Sequence, residues 1–100
     1  MKTNWETVMI KRCQHYEKLT TKALTKAKIA IPKEGSLYPI AVDFKEMAQN
    51  YLQDGRHFQK EGRFELALAA FSYAHAWLDA GARLGLFDVK GDHDLFTLFK

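Results

Sequence analysis

The sequence holds one cysteine, two prolines and six glycines in 100 residues. A lone Cys13 excludes an internal disulfide, and secreted domains this small usually need such staples, so an intracellular setting is expected. No apolar run approaches the roughly 18–20 residues of a membrane span. The opening MKTNWETVMIKRCQ has no uninterrupted apolar stretch of the signal-peptide kind. By elimination the expected location is the cytoplasm, with no membrane contact. Catalytic and metal signatures are also missing. There is no HExxH, and no calcium-loop or zinc-type spacing. The Arg-then-His motif of HEPN-type nucleases is absent as well.

What is present is enough for one core. Apolar residues make up 47% of the chain and aromatics 13%, against 27% charged, which fits a folded domain and argues against disorder. One hundred residues make a single domain, 1–100, with no room for a second core. The net charge of +3 is unevenly spread. Residues 1–34 hold eight of the fifteen basic side chains and three of the twelve acidic ones, while the remainder is net acidic. Such an imbalance bears on partners rather than on fold.

Three segments repeat their apolar residues at steps of three and four, the mark of helices with one buried face. The first is expected over about 4–29. Trp5, Met9, Cys13, Tyr16, Thr20, Ala23 and Ala27 form one stripe, and Lys11, Lys18, Lys22 and Lys26 fall nearly opposite. The second is expected over about 40–61, with Ile40, Phe44, Met47, Tyr51 and Phe58 on a face. Pro39 suits its first turn, where an N–H is not needed. Gly55 lies inside this helix and suggests close approach of a neighbour. The third is expected over about 64–84 and is apolar on two sides. Phe64, Ala67, Leu68, Phe71, Ala74, His75, Leu78 and Ala82 form the larger face, and Leu66, Ala70, Tyr73 and Trp77 the other. A helix with two apolar faces is central or covered by a partner. Gly85 is placed to end it in the left-handed conformation, with Leu86 folding back. Residues 32–39 read as a linker and 86–100 as an apolar tail that either docks on the bundle or meets another subunit. The expected architecture is an all-α three-helix bundle.

Two resemblances follow. YLQDGRHFQKEGRFELALAAFSYAHAWL is similar to one tetratricopeptide-like helical hairpin, with Gly55, Phe58, Gly62, Phe64, Ala67, Phe71 and Ala74 at its small and large positions. No second copy exists, and Asp79 stands near the usual closing proline. A single hairpin cannot make a solenoid. LALAAFSYAHAWLDAGARLGLFDV more closely resembles the hallmark segment of the short archaeal proteins known as domain of unknown function 357, over about Phe44 to the C-terminus. That likeness implies a short helical bundle in a cytoplasmic protein and brings no catalytic residues.

Few side chains can be assembled into chemistry. Cys13 and His15 are two apart on a helix and cannot face each other. His15, His57, His75 and His93 lack ligand spacing. His57 is expected to pair with Asp54. His75 is expected to bond Tyr51, Asp79 or a backbone carbonyl, or else to line a small-ligand pocket. Asp79 and Arg83 suit a helix-surface ion pair, and Asp88, Asp92 and Asp94 a solvated turn. No nucleophile, base and oxyanion arrangement emerges, so the expectation is no enzyme and no cofactor or metal. Surplus apolar area points instead to a non-catalytic interaction or structural module, with a protein partner or a homo-oligomer. Its candidate contact residues are Leu66, Tyr73, Trp77, Leu95, Phe96 and Phe99, with Leu98 beside them. The alternative is weak, sequence-independent nucleic-acid binding through Lys11, Lys18, Lys22 and Lys26. No aromatics are interleaved there to stack bases.

Overall fold

A computed structural model describes residues 4–92 and 94–96. It contains three long helices and one minimal strand pair: α1 (Asn4–Lys26), β1 (Lys28–Ile29), α2 (Tyr38–Lys60), α3 (Phe64–Arg83) and β2 (Phe87–Asp88). The all-α three-helix expectation therefore holds. None of the described helices is long and apolar enough to cross a membrane.

Helices α2 and α3 form an antiparallel hairpin around Gly62, whose φ is +77°. The Gly62 N–H donates to the Gln59 carbonyl at 3.1 Å and the Arg63 N–H to that of Phe58 at 2.9 Å. Those two bonds satisfy carbonyls left open at the end of α2. The same device ends α3. Gly85 has φ +79°, its N–H reaches the Ala82 carbonyl, and the Leu86 N–H reaches that of Gly81 at 2.9 Å. Leu86 folds back as expected and is buried.

Helix α1 lies across one side of this hairpin, parallel to α3 and antiparallel to α2. The Cys13 thiol donates to the Phe64 carbonyl, and Thr20 sits against Phe71 and His75. On the α2 side, Glu17 accepts from Arg56 and from Gln59. The core is lean. Alanines 23, 27, 41, 48, 67 and 74 are wholly buried where helices approach, and Phe71 and Leu78 are the largest side chains fully enclosed. The α2–α3 crossing is tight at Gly55, where an added Cβ would stand 2.4 Å from the Phe71 ring.

The ends of the elements depart from the periodic reading. Helix α1 stops at Lys26 rather than residue 29, because Lys28 and Ile29 pair antiparallel with Asp88 and Phe87. The Ala30 N–H extends this pairing to the Leu86 carbonyl, and Lys45 Nζ caps α1 through the Ala27 carbonyl at 2.8 Å. Helix α2 starts two residues early, at Tyr38, with Pro39 inside its first turn. The tail turns back onto the bundle. Phe96 is only 3% exposed and packs, with Leu95 beside it, on the cluster of Leu78, Leu86, Phe87 and Val89.

Candidate functional site

Helix α1 covers one side of the α2–α3 hairpin and leaves the other side open. On that open side the second apolar face of α3 meets the stripe of α2 in a shallow groove. Two aromatic pairs bridge it. Phe44 and Trp77 meet edge to face with centroids 4.9 Å apart, and Tyr51 and Tyr73 lie 4.5 Å apart at 33°. Such pairs contribute about 0.5–1.5 kcal/mol beyond the area they bury. Between the rings are small residues. One open depression of about 250 Å³ is lined by Phe44, Tyr73, Ala76, Trp77 and Ala80. A second, of about 340 Å³, is lined by Tyr51, Asp54, Phe58, Leu66, Ala69, Ala70 and Tyr73. Tyr73 stands between them and is 54% exposed; Leu66, at the far end, is 41% exposed. Leu66 also borders a hollow at the start of α1, lined by Trp5 and Phe64 together with the charged Glu6, Arg63 and Glu65. Trp77 is half-buried, and its indole N–H is shielded from solvent without an acceptor among the described residues. A donor left this way is costly, so the ring is held there by packing.

Of the proposed contact residues, Leu66, Tyr73 and Trp77 thus lie together on one surface. Leu95 and Phe96 do not join them. Phe96 is core, and the Leu95 carbonyl accepts a 2.6 Å hydrogen bond from His75 Nε2. The physical reason is that an apolar tail beside an uncovered bundle end buries itself intramolecularly at less entropic cost than by association. Phe99, Leu98 and His93 lie outside the described residues. The α2 side of the groove, Phe44, Tyr51 and Asp54, does not stand out as a contact surface from the sequence alone, although the stripe through Phe44 and Tyr51 is visible there.

The basic face survives in part. Lys11, Lys18 and Lys22 are exposed on the side of α1 turned away from the hairpin. Lys26 is not part of an open stripe: its Nζ lies 2.7 Å from Asp92 Oδ2. That contact, with the Leu95 and Asp94 amides, draws the Asp92 carboxyl below its ordinary range. Asp92 therefore organises the turn that carries the tail, and Asp88 likewise accepts from the Lys90 amide.

The titratable groups serve the fold. Burial pushes the Cys13 thiol up, only partly offset by a backbone hydrogen bond from Leu68. A raised thiol is a poor nucleophile. His75 does bond a backbone carbonyl. Since that carbonyl can only accept, Nε2 donates to it, and Nδ1 lies 3.2 Å from the Thr20 hydroxyl oxygen. None of the open depressions described above reaches it. His57 pairs with Glu61 at 3.3 Å instead of Asp54, one helical turn being the better reach. Among the described residues no group of three or more His, Cys, Asp or Glu is placed to hold a metal ion.

Residues 15–87 match the model of a family described as "Protein of unknown function (DUF357)". No curated protein and no solved structure matches the chain. The matched segment takes in the second half of α1, all of α2 and α3, and the start of β2, and so extends well before Phe44, where the resemblance in the sequence begins. Covering every helix that builds the groove, that match shows that the chain belongs to the DUF357 family.

Proposed function

We propose that this protein is a non-catalytic protein–protein interaction module that docks its partner in the groove between α2 and α3. One observation carries the reading: Leu66, Tyr73 and Trp77 form a continuous aromatic and alanine-lined surface that no other part of the described chain covers. Contiguous exposed apolar surface of this kind marks interaction sites more often than scattered apolar residues do. The depressions are open rather than enclosed, which suits side chains of a docked segment better than a buried small molecule.

Selection of peptides from a random helical display library against the wild-type protein tests this. Enriched peptides are expected to bind Tyr73→Ala at least tenfold more weakly, because tyrosine at the centre of an interface is a frequent anchor. Enriched peptides that bind Tyr73→Ala as well as wild type would overturn the reading.

A second reading is supported by the exposure of Lys11, Lys18 and Lys22 on one face of α1. Those cations suit phosphate contacts without sequence readout. Fluorescence anisotropy with labelled RNA and DNA is then expected to show binding that weakens steeply with salt. Replacing the three lysines by glutamine would abolish it. Absence of binding at low salt removes this reading and leaves the first untouched.

A further inference from the structure

The charges on α2 are sorted between its two edges. At about 100° per residue, Asp43 and Asp54 fall on the edge beside the groove, Lys45, Arg56 and Lys60 on the edge toward α1, and Glu46 on the outer side between the two. Two of the cations on the α1 side are engaged there, Lys45 on the Ala27 carbonyl and Arg56 on Glu17. Beside the groove, Asp54 is, among the described residues, the only charged one lining either aromatic depression. Asp43 is exposed next to Phe44, and Glu65 is exposed next to Leu66 on the opposite rim. The α3 rim is mixed, with Arg83 five turns beyond Glu65 and Arg63 over the Phe58 ring at 5.4 Å, so the open side of the hairpin is an apolar trough whose acidic edge runs along α2.

That combination discriminates among occupants. A second copy using the same face would bring two acidic α2 edges, each with Asp43 and Asp54, into one interface, and like charges there oppose association. The α1 face of another copy has the right sign, but beside Lys11, His15, Lys18 and Lys22 its stripe offers only Val8 as an exposed apolar side chain, too little to fill two depressions. Nucleic acid is repelled by the same carboxylates. What fits is a helix with an apolar stripe and cationic flanks.

The dimensions define that helix further. From Leu66 to Ala80 the trough runs about 21 Å at 1.5 Å per residue, or four helical turns. The α3 residues lining the two depressions are the same set displaced by seven positions, 66, 69, 70 and 73 against 73, 76, 77 and 80. Two turns separate them, so a docked helix reaches both with large side chains at i and i+7, and the alanines between let its backbone come close. Asp43 and Asp54, about three turns apart, face its flank.

Resting on the docking reading above, we propose that the groove takes a basic amphipathic helix of another protein, with apolar anchors at i and i+7 and Lys or Arg set against Asp43, Asp54 and Glu65.

Three synthetic 18-residue peptides test this by isothermal titration calorimetry and by amide chemical-shift mapping on the full-length protein. The first has leucines on one helical stripe and lysines elsewhere. The second replaces its lysines by glutamates. The third has the composition of the first with the stripe scrambled. The Leu/Lys helix is expected to bind at least tenfold more tightly than either of the others, with shifts centred on Ala69, Tyr73, Ala76 and Trp77. The double variant Asp43→Lys, Asp54→Lys should reverse the preference in favour of the Leu/Glu helix. Both positions are exposed, and an unchanged circular dichroism spectrum verifies folding. Equal binding of the Leu/Lys and Leu/Glu helices, both lost in Tyr73→Ala, overturns the basic class of partner and leaves the groove as the docking site. Shifts confined to other surfaces, or binding indifferent to Tyr73→Ala, overturn both.

Discussion

Gly55 sets the spacing of the hairpin, and replacing it with alanine measures how firmly that spacing is held. An added Cβ would stand 2.4 Å from Cε1 and 2.5 Å from Cδ1 of Phe71, a ring with no exposed surface. Alanine gains about 1 kcal/mol over glycine in a helix interior. Overpacking a tight core costs about 1–3 kcal/mol, and a ring enclosed on all sides puts this site near the upper value. The expected net loss is about 2 kcal/mol. For a domain of this size that lowers Tm by roughly 8–16 °C. Thermal melts followed by circular dichroism would show it, with urea titrations giving a lower midpoint at unchanged m. A second background separates the two effects. In Phe71→Leu the obstructing ring is gone, so Gly55→Ala should become neutral or stabilising by up to about 1 kcal/mol, a coupling of two or more. A rise in Tm for Gly55→Ala in the wild-type background would refute the reasoning, because propensity would then outweigh contact.

Two more perturbations address the tail and the α1–α2 seam. Phe96→Ala empties a buried site at the bundle end and should cost about 3 kcal/mol in urea unfolding; unchanged stability would mean that the ring contributes nothing to the core. Glu17 is pushed up by burial, but hydrogen bonds from Arg56 and Gln59 and the Arg56 charge prevail, and its carboxyl lies below the ordinary value. A folded-state value below the unfolded one means that the stability is complete above about pH 4.3 and is lost as pH falls through the lowered value. Calorimetric Tm should therefore decline on acidification below that point, and Glu17→Gln should flatten the decline. Parallel profiles for the two proteins would sink this assignment.

How far the sequence reveals the molecule depends on the range of the forces that decide each feature. Helix interiors and the glycine-bound turns at Gly62 and Gly85 were legible because their causes lie within a few residues. The match of Gly55 to a large neighbour was legible in the same way: a glycine isolated in a strong helical pattern weakens the helix, and close packing is the usual compensation. The end of α1 was not. Its last turn is displaced by pairing with Phe87 and Asp88, and nothing local to Lys28 and Ile29 announces a strand. His75 is similar: its carbonyl partner was expected as a type, while its identity, Leu95, depends on where the tail turns. For Leu95 and Phe96 the composition showed that they needed cover and could not say whose. The groove was half legible. Leu66, Tyr73 and Trp77 stood out as a second apolar face, whereas the acidic edge required knowing which side of α2 faces α1. The signal was the separation of Asp43 and Asp54 from Lys45, Arg56 and Lys60 around the helix.

The pairing of β1 with β2 also orders the assembly of the chain. Its two residue pairs join segments roughly sixty positions apart, and closing a loop that long costs about 3.6 kcal/mol from the length-dependent part alone. Two bridges cannot offset that unaided. The hairpin of α2 and α3 closes through a three-residue turn and gathers contacts between near neighbours in the chain, so it is the natural nucleus. Helix α1 and the segment after α3 then arrive from opposite ends of the sequence and clasp each other over its base. The clasp is thus the last structure made and the first released, and opening it loosens the cluster of Leu86, Phe87 and Val89 against which Phe44 and Trp77 of the trough pack.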